Sequence, residues 1–270
     1  MPCQPSEHHE SQCVLLELTW GTIADAVRLQ CQKYSRHWAY AWIEERVAKI
    51  QADGRISRIA DLGGGGIDSH FADRLSRYAD EIQIVDKFGN DGETKGNIRQ
   101  IVCDMEKGLS VLTDASVDII VSASALEHLS VEGQREVFRE IARVLKPHGY
   151  FCGTVSYITR LTDHVIALIK ADPVFRDLGC DIFGAVDVRD NLVCAGIRSL
   201  DGIDPSRFPG FSDFSESTLL EDETLLYDVT GSYGDVRCTK EVDALRLKNF
   251  ECGIFFQKTP VNTKENTVRL

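Results

Sequence analysis

Ser57-Arg58-Ile59-Ala60-Asp61-Leu62-Gly63-Gly64-Gly65-Gly66-Ile67-Asp68 decides the fold of this 270-residue chain. A short apolar run ends in an acid, four glycines follow, and a helical pattern starts at about Ser69. Glycine at a strand end lets backbone approach a ligand, because no Cβ stands in the way. The helix beyond it offers unsatisfied N–H groups. A doubly wound α/β sheet builds its first ligand-binding loop in this manner, at the carboxyl end of its first strand.

Working outward, strand and helix periods alternate from 57 to 156. Arg58–Leu62 is a short apolar strand, and Phe71, Ala72, Leu75 and Tyr78 mark a helix face. Glu81–Asp86 and Asn97–Asp104 are strands that each end in an acid, and Val117–Ser122 is a fourth. Val137, Phe138, Ile141, Val144 and Leu145 form one stripe of a helix over 131–145, which stops at Pro147-His148-Gly149 before a fifth strand, Tyr150–Ser156. This alternation predicts a mostly parallel sheet with right-handed crossovers.

The flanks read differently. Residues 1–13 are polar and expected to be a loose tail, and 21–50 read as helical, with Trp38, Trp42, Val47 and Ile50 near one face. That segment either packs the tryptophans onto the body or closes over the ligand site as a lid. Leu161–Ala171 suits a helix, residues 172–223 show no clear period, and Glu241–Phe250 with Cys252–Lys258 suggest two strands joined by a tight turn at Asn249–Glu251. The expected division is a tail at 1–13, a helical cap at 14–52, a cofactor-binding core at 53–158, a substrate-side insertion at 159–235, the last two strands at 236–260 and a C-terminal tail at 261–270.

Composition narrows the function. Thirty basic against 42 acidic residues leave a net charge of −12, which offers no footprint for phosphate backbones and argues against a nucleic-acid partner. Much of the acid between 201 and 224 reads as a solvated loop. Nine scattered cysteines without a CxxC pair give no zinc or dithiol motif and suit a reducing, cytoplasmic setting. No signal peptide or membrane-spanning run is visible, so no membrane partner is expected.

Asp61, Asp86 and Asp104 all fall on one rim of such a sheet. A carboxylate at the end of the second strand can accept both hydroxyls of a ribose, and Asp104 could take an adenine amine. An NAD-type fingerprint needs GxGxxG with a small last residue. Counting from Gly63 the sixth residue is Asp68, and from Gly64 it is Ser69, so that alternative fits poorly.

Residues 57–156 resemble the class I S-adenosylmethionine-dependent methyltransferases, more narrowly the methyltransferase type 11 group. Asp61-Leu-Gly63-Gly64-Gly65 is similar to the loop that holds the methionine part of the cofactor. Asp86, with Lys87 beside it, falls at the ribose-binding acid, and Asp104-Met105 at the adenine side. Ser116–Ser122 followed by Ala125-Leu-Glu127-His128-Leu129 resembles the fourth-strand motif, which puts Ser122 near the cofactor. Arg143–Tyr150 resembles the turn into the fifth strand. Ile67 departs from the family, which usually has a third glycine there, and 159–235 has no counterpart. The resemblance implies a Rossmann-like, mostly parallel seven-stranded sheet with an antiparallel last strand, S-adenosyl-L-methionine as cofactor, and a small-molecule methyl acceptor, at oxygen or nitrogen rather than carbon.

Methyl transfer mainly requires alignment of nucleophile and methyl, because the cofactor carries the chemistry. A hydroxyl acceptor would gain from a general base, and His128 is the candidate, with an ordinary imidazole pKa suited to the task. His164, Tyr157 and Tyr233 are weaker candidates. Besides an oxidoreductase, a non-catalytic binding module on the same fold is the other alternative.

Overall fold

A computed structural model describes residues 13–31, 35–158, 163–172, 192, 197–199, 223–229, 232–233, 236–237, 240–244 and 248–259. The expected alternation is present: β2 (Ile56–Leu62), α3 (His70–Leu75), β3 (Ala79–Asp86), β4 (Thr94–Lys95), β5 (Ile98–Val102), β6 (Val117–Ala123), α4 (Val131–Val144) and β7 (Leu145–Ile158). These follow β1 (Cys13–Trp20), α1 (Ile23–Arg28) and α2 (Ser35–Asp53). Beyond them lie α5 (Asp163–Ala171), β8 (Ile197–Ser199), β9 (Tyr227–Val229), the small pair β10 (Ser232–Tyr233) and β11 (Val236–Arg237), and β12 (Lys248–Lys258).

The main sheet runs β4-β5-β3-β2-β6-β7-β12-β1-β8, with β9 also on β12. Strands β5, β3, β2, β6 and β7 are mutually parallel. β12 lies antiparallel to β7, as expected of the last strand. Parallel strands covered on both faces should be apolar on both sides. β6 shows this: Ile119 and Val121 enter the core under α2 and α3, while Ile120 enters the opposite core with Val137, Phe138 and Ile141 of α4.

Three expectations change. Residues 13–20, placed partly in the tail and partly in the helical cap, form a strand that pairs antiparallel with β12 from Cys13 opposite Lys258 to Trp20 opposite Cys252. The hairpin expected around Asn249–Glu251 is instead continuous strand, with Asn249, Phe250 and Glu251 opposite Ile158, Tyr157 and Ser156. The short strands β4, β8 and β9 bring the sheet to ten strands, against the seven expected.

The tryptophans of α2 pack. Trp38 and Trp42 are buried and lie against glycine backbone: a Cβ at Gly253 would stand 2.6 Å from the Trp42 ring, and one at Gly21 would stand 3.0 Å from Trp38. Arg46 reaches past Trp42 to Glu17 of β1, with its guanidinium carbon 3.5 Å from the Trp42 ring centroid. These contacts seat α2 on the sheet.

Candidate active site

β2 hands the chain to the glycine loop through one more ladder bond, Gly63 N–H to the Val85 carbonyl at 2.8 Å. Gly63 adopts φ 75°, and a Cβ there would stand 2.3 Å from Ala125 Cβ, so the loop and the turn after β6 are pressed together. Gly65 adopts φ 79°, and its N–H donates to Asp86 Oδ2 at 2.8 Å. The other Asp86 oxygen accepts from Phe88 N–H at 3.0 Å. One carboxylate at the end of β3 thus fixes both loops of the rim. Ile67, where the family's third glycine was missed, packs half-buried against the core under α3, and Ser69 caps that helix through Ala72 N–H.

Asp61 is buried behind the loop, and its Oδ2 accepts no hydrogen bond among the described residues. Burial, and then the charge of Asp86, push its carboxyl up to about 7. A Cβ at Gly64 would stand 2.4 Å from that oxygen, whereas one at Gly65 or Gly66 would meet nothing within 4 Å. Asp104 caps a 3-10 turn over Met105–Lys107. Its carboxyl is held below the usual range by Lys107, 3.1 Å away. Met105 is buried beside the loop, its Cε 3.7 Å from where a Gly63 Cβ would stand.

The turn after β6 supplies the other half of the site. Ser124 adopts φ 51°, a left-handed conformation unusual for serine. Its hydroxyl donates to Glu251 Oε1 at 2.8 Å, and the Ser156 hydroxyl donates to the same oxygen at 2.7 Å. Glu127 Oε1 accepts from Ser156 N–H at 2.8 Å. Both glutamates are buried, and the Oε2 of each lacks a hydrogen-bond partner among the described residues. Burial raises both carboxyls, and the charge of Glu127 raises Glu251 further. Arg36 lies at the start of α2; desolvation works against its charge, but Tyr40, Glu251 and Glu127 outweigh it. Tyr40 in turn stacks on Phe71 of α3, centroids 4.4 Å apart.

The structure therefore gathers Asp61, Gly63, Gly64, Gly65, Asp86, Asp104 and Met105 around one rim. Lys87 stands there too, its ammonium over the Phe88 ring at 5.2 Å and close enough to influence Asp104. Two expected residues change. Ser122 is fully buried and its hydroxyl donates to the Leu62 carbonyl at 2.9 Å, so it ties β6 to β2 under the loop instead of facing a ligand. His128 is half-buried, and its imidazole is lowered to about 4 by burial, then by Arg36 and Lys87. An imidazole this acidic stays neutral at pH 7 and binds a proton weakly, unlike the ordinary base expected. His164 is exposed, and the side chains of Tyr157 and Tyr233, like most of the acidic stretch 201–224, lie outside the described residues. Glu251 escaped sequence reasoning; a lone acid within an apolar strand run was its only signal.

Among the described residues, no group of three or more His, Cys, Asp or Glu is placed to hold a metal, and no helix is long and apolar enough to cross a membrane.

A parallel sheet with a glycine loop and acids at successive strand ends defines a nucleotide-type binding fold of the Rossmann-like class. Residues 62–153 match the family model described as a methyltransferase domain. The match covers about a third of the chain and makes these residues similar to a methyltransferase domain. No curated protein sequence matches. Similar solved structures include a candidate methyltransferase from Bacillus halodurans (13% identity, 80% of this chain and 99% of that one, TM-score 0.47). Another is phosphoethanolamine N-methyltransferase 2 of Haemonchus contortus in complex with S-adenosyl-L-methionine (15% identity, 80% and 52%, TM-score 0.45). A third is an arsenic(III) S-adenosylmethionine methyltransferase of Chlamydomonas reinhardtii (17% identity, 77% and 64%, TM-score 0.38). The chain spans about half the length of the Haemonchus enzyme.

The residues present suit S-adenosylmethionine, the cofactor expected from the sequence. The buried Asp61 oxygen lacks a donor among the described residues, as a partner for an ammonium would. Asp86 keeps acceptor capacity on both oxygens beyond its two backbone bonds. The backbone at Gly65 and Gly66 borders open space.

Proposed function

We propose that the protein transfers the methyl group of S-adenosylmethionine to a small-molecule acceptor, at oxygen or nitrogen. The observation that carries this reading is the Asp86 carboxylate locking Gly65 N–H and Phe88 N–H beside the donor-seeking Asp61. In this reading Gly63, Gly64 and Gly65 admit the methionine part, Asp61 receives its ammonium, Asp86 takes the ribose hydroxyls, and Asp104 with Met105 frames the adenine. Lys87 borders the same rim.

When bound, the cofactor supplies an already activated sulfonium methyl. The chain's own task is to align the acceptor, an effect worth roughly 7–11 kcal/mol when the geometry is a near-attack one. His128, held neutral, lines the acceptor side as a hydrogen-bonding group. The insertion 159–235 sets acceptor specificity. The thiols of Cys31, Cys103, Cys152 and Cys252, unpaired among the described residues, suit a cytoplasmic setting.

Isothermal titration with S-adenosylmethionine, S-adenosylhomocysteine and NAD tests the reading. Micromolar binding of the first two, lost in Asp86→Ala, is expected. Binding of NAD alone, or of none, overturns it.

A further inference from the structure

Two buried carboxyl groups on different elements each keep one oxygen without a hydrogen bond among the described residues: Glu127 from the turn after β6 and Glu251 from β12. Burying an acceptor without a donor costs free energy, so a pair held this way calls for a ligand. The pair is built. Ser124 and Ser156 fix one oxygen of Glu251, Ser156 N–H fixes one of Glu127, and the strained Ser124 backbone aims the turn. These bonds leave both Oε2 atoms as the remaining acceptors. The glutamates lie within charge range of each other and of Arg36.

The pair also adjoins the cofactor loop. Ala125, two residues before Glu127, touches Gly63, and His128, one residue after it, feels both Arg36 and Lys87. Among the described residues, Arg36 of α2 acts on both glutamates and on Tyr40, and His128, next to Glu127, feels Arg36 and Lys87. Arg36 can offset one carboxylate. The charge of the second remains, and a monocation with N–H donors supplies what both Oε2 atoms lack.

We propose that Glu127 and Glu251 receive the methyl acceptor as an amine, bound as its ammonium, and that one of them takes its proton. This inference rests on the methyltransferase reading and deepens it by naming the acceptor class. In the step, an N–H bond of the ammonium breaks and its electron pair stays on nitrogen. The proton forms an O–H bond on a glutamate Oε2. The ammonium becomes a neutral amine with a free lone pair, and the carboxylate becomes a neutral acid, so charge and atoms balance. A carboxyl raised by burial is the stronger base for this purpose.

The test uses the full chain saturated with S-adenosylhomocysteine, with ethylamine and benzylamine as probes beside ethanol and benzyl alcohol, and binding read by saturation-transfer NMR and calorimetry. The amines are expected to bind at least about tenfold more tightly than the alcohols. Glu127→Gln and Glu251→Gln, which keep shape but remove charge, should erase that preference and leave S-adenosylhomocysteine affinity unchanged. Equal binding of amines and alcohols by the unaltered protein, or binding of neither, overturns the inference without recourse to a variant and leaves the methyltransferase reading standing. An amine preference that survives both variants also overturns it. Failure of S-adenosylhomocysteine to bind overturns the underlying reading, and the inference with it.

Discussion

Four consecutive glycines need not matter for the same reason, and the geometry ranks them. At Gly63 an alanine meets two penalties. Its φ of 75° costs a non-glycine residue about 1–2 kcal/mol. Its Cβ would stand 2.3 Å from Ala125 Cβ, an overpacking that typically costs about 1–3 kcal/mol. Together Gly63→Ala should lose roughly 2–5 kcal/mol, or roughly 5–15 °C in Tm for a domain of this size. At Gly65 only the first penalty applies, since φ is 79° but nothing lies within 4 Å of the added carbon. Neither applies at Gly66, so Gly66→Ala should stay within about 0.5 kcal/mol of the parent. The three variants, compared by thermal melting and by titration with S-adenosylhomocysteine, should order Gly63, Gly65, Gly66 in stability loss. Gly66→Ala should lose affinity without losing Tm. A Gly63→Ala melt no lower than that of Gly66→Ala would refute the loop geometry argued above.

Further outcomes follow from the same structure. Asp61, Glu127 and Glu251 are all raised above their unfolded values, so each binds its proton more tightly in the folded state and loses stability as pH climbs from about 4 to 7. His128, lowered to about 4, works in the opposite sense between about 4 and 6.5. Three acids outweigh one histidine, so urea midpoints of the ligand-free protein should fall by an amount worth a few kcal/mol between pH 5 and 8. Asp61→Asn should flatten that slope; a flat or rising profile in the parent would contradict the buried acids. Ser122→Ala removes a buried donor from the Leu62 carbonyl and should cost about 1–3 kcal/mol by denaturant titration. Gly253→Ala drives a Cβ to 2.6 Å from Trp42 and should cost about 1–3 kcal/mol, relieved in the double variant with Trp42→Leu.

The glycine loop and the acids on its rim were legible because their geometry is local. Apolar runs of strand length end in Asp61, Asp86 and Asp104, and Asp86 meets Gly65 across only 21 positions. Chain period and turn residues therefore suffice to place the loop. Ser122 misled because motif position says which strand end a residue occupies but not which face it uses; its hydroxyl points under the loop to Leu62. His128 misled for a different reason, since its weakness as a base comes from burial and two distant cations that no local pattern reveals. β1 was missed because its partner, β12, lies at the far end of the chain, and the helical run after it drew the whole segment into a cap. Asn249 and Glu251 read as a turn, because polar residues usually interrupt a strand; here Glu251 faces serines in the interior.

The proposed acceptor side differs from the proposed cofactor side in how it is assembled. Arg36, Glu127 and Glu251 come from α2, from the turn after β6 and from β12, and Ser124 reaches Glu251 across 127 positions. No contiguous segment can form this group, so it exists only once β12 has inserted between β7 and β1. The loop-closure entropy of so long a contact must be met by the packing of Trp42 on Gly253, of Phe256 on Phe151, and of the whole β7–β12 ladder. The buried glutamates oppose that closure while their Oε2 atoms lack donors among the described residues, and a bound cation would relieve them. The acid pair is therefore the place where ligand binding should stabilise the fold most, through a differential interaction available only in the closed sheet.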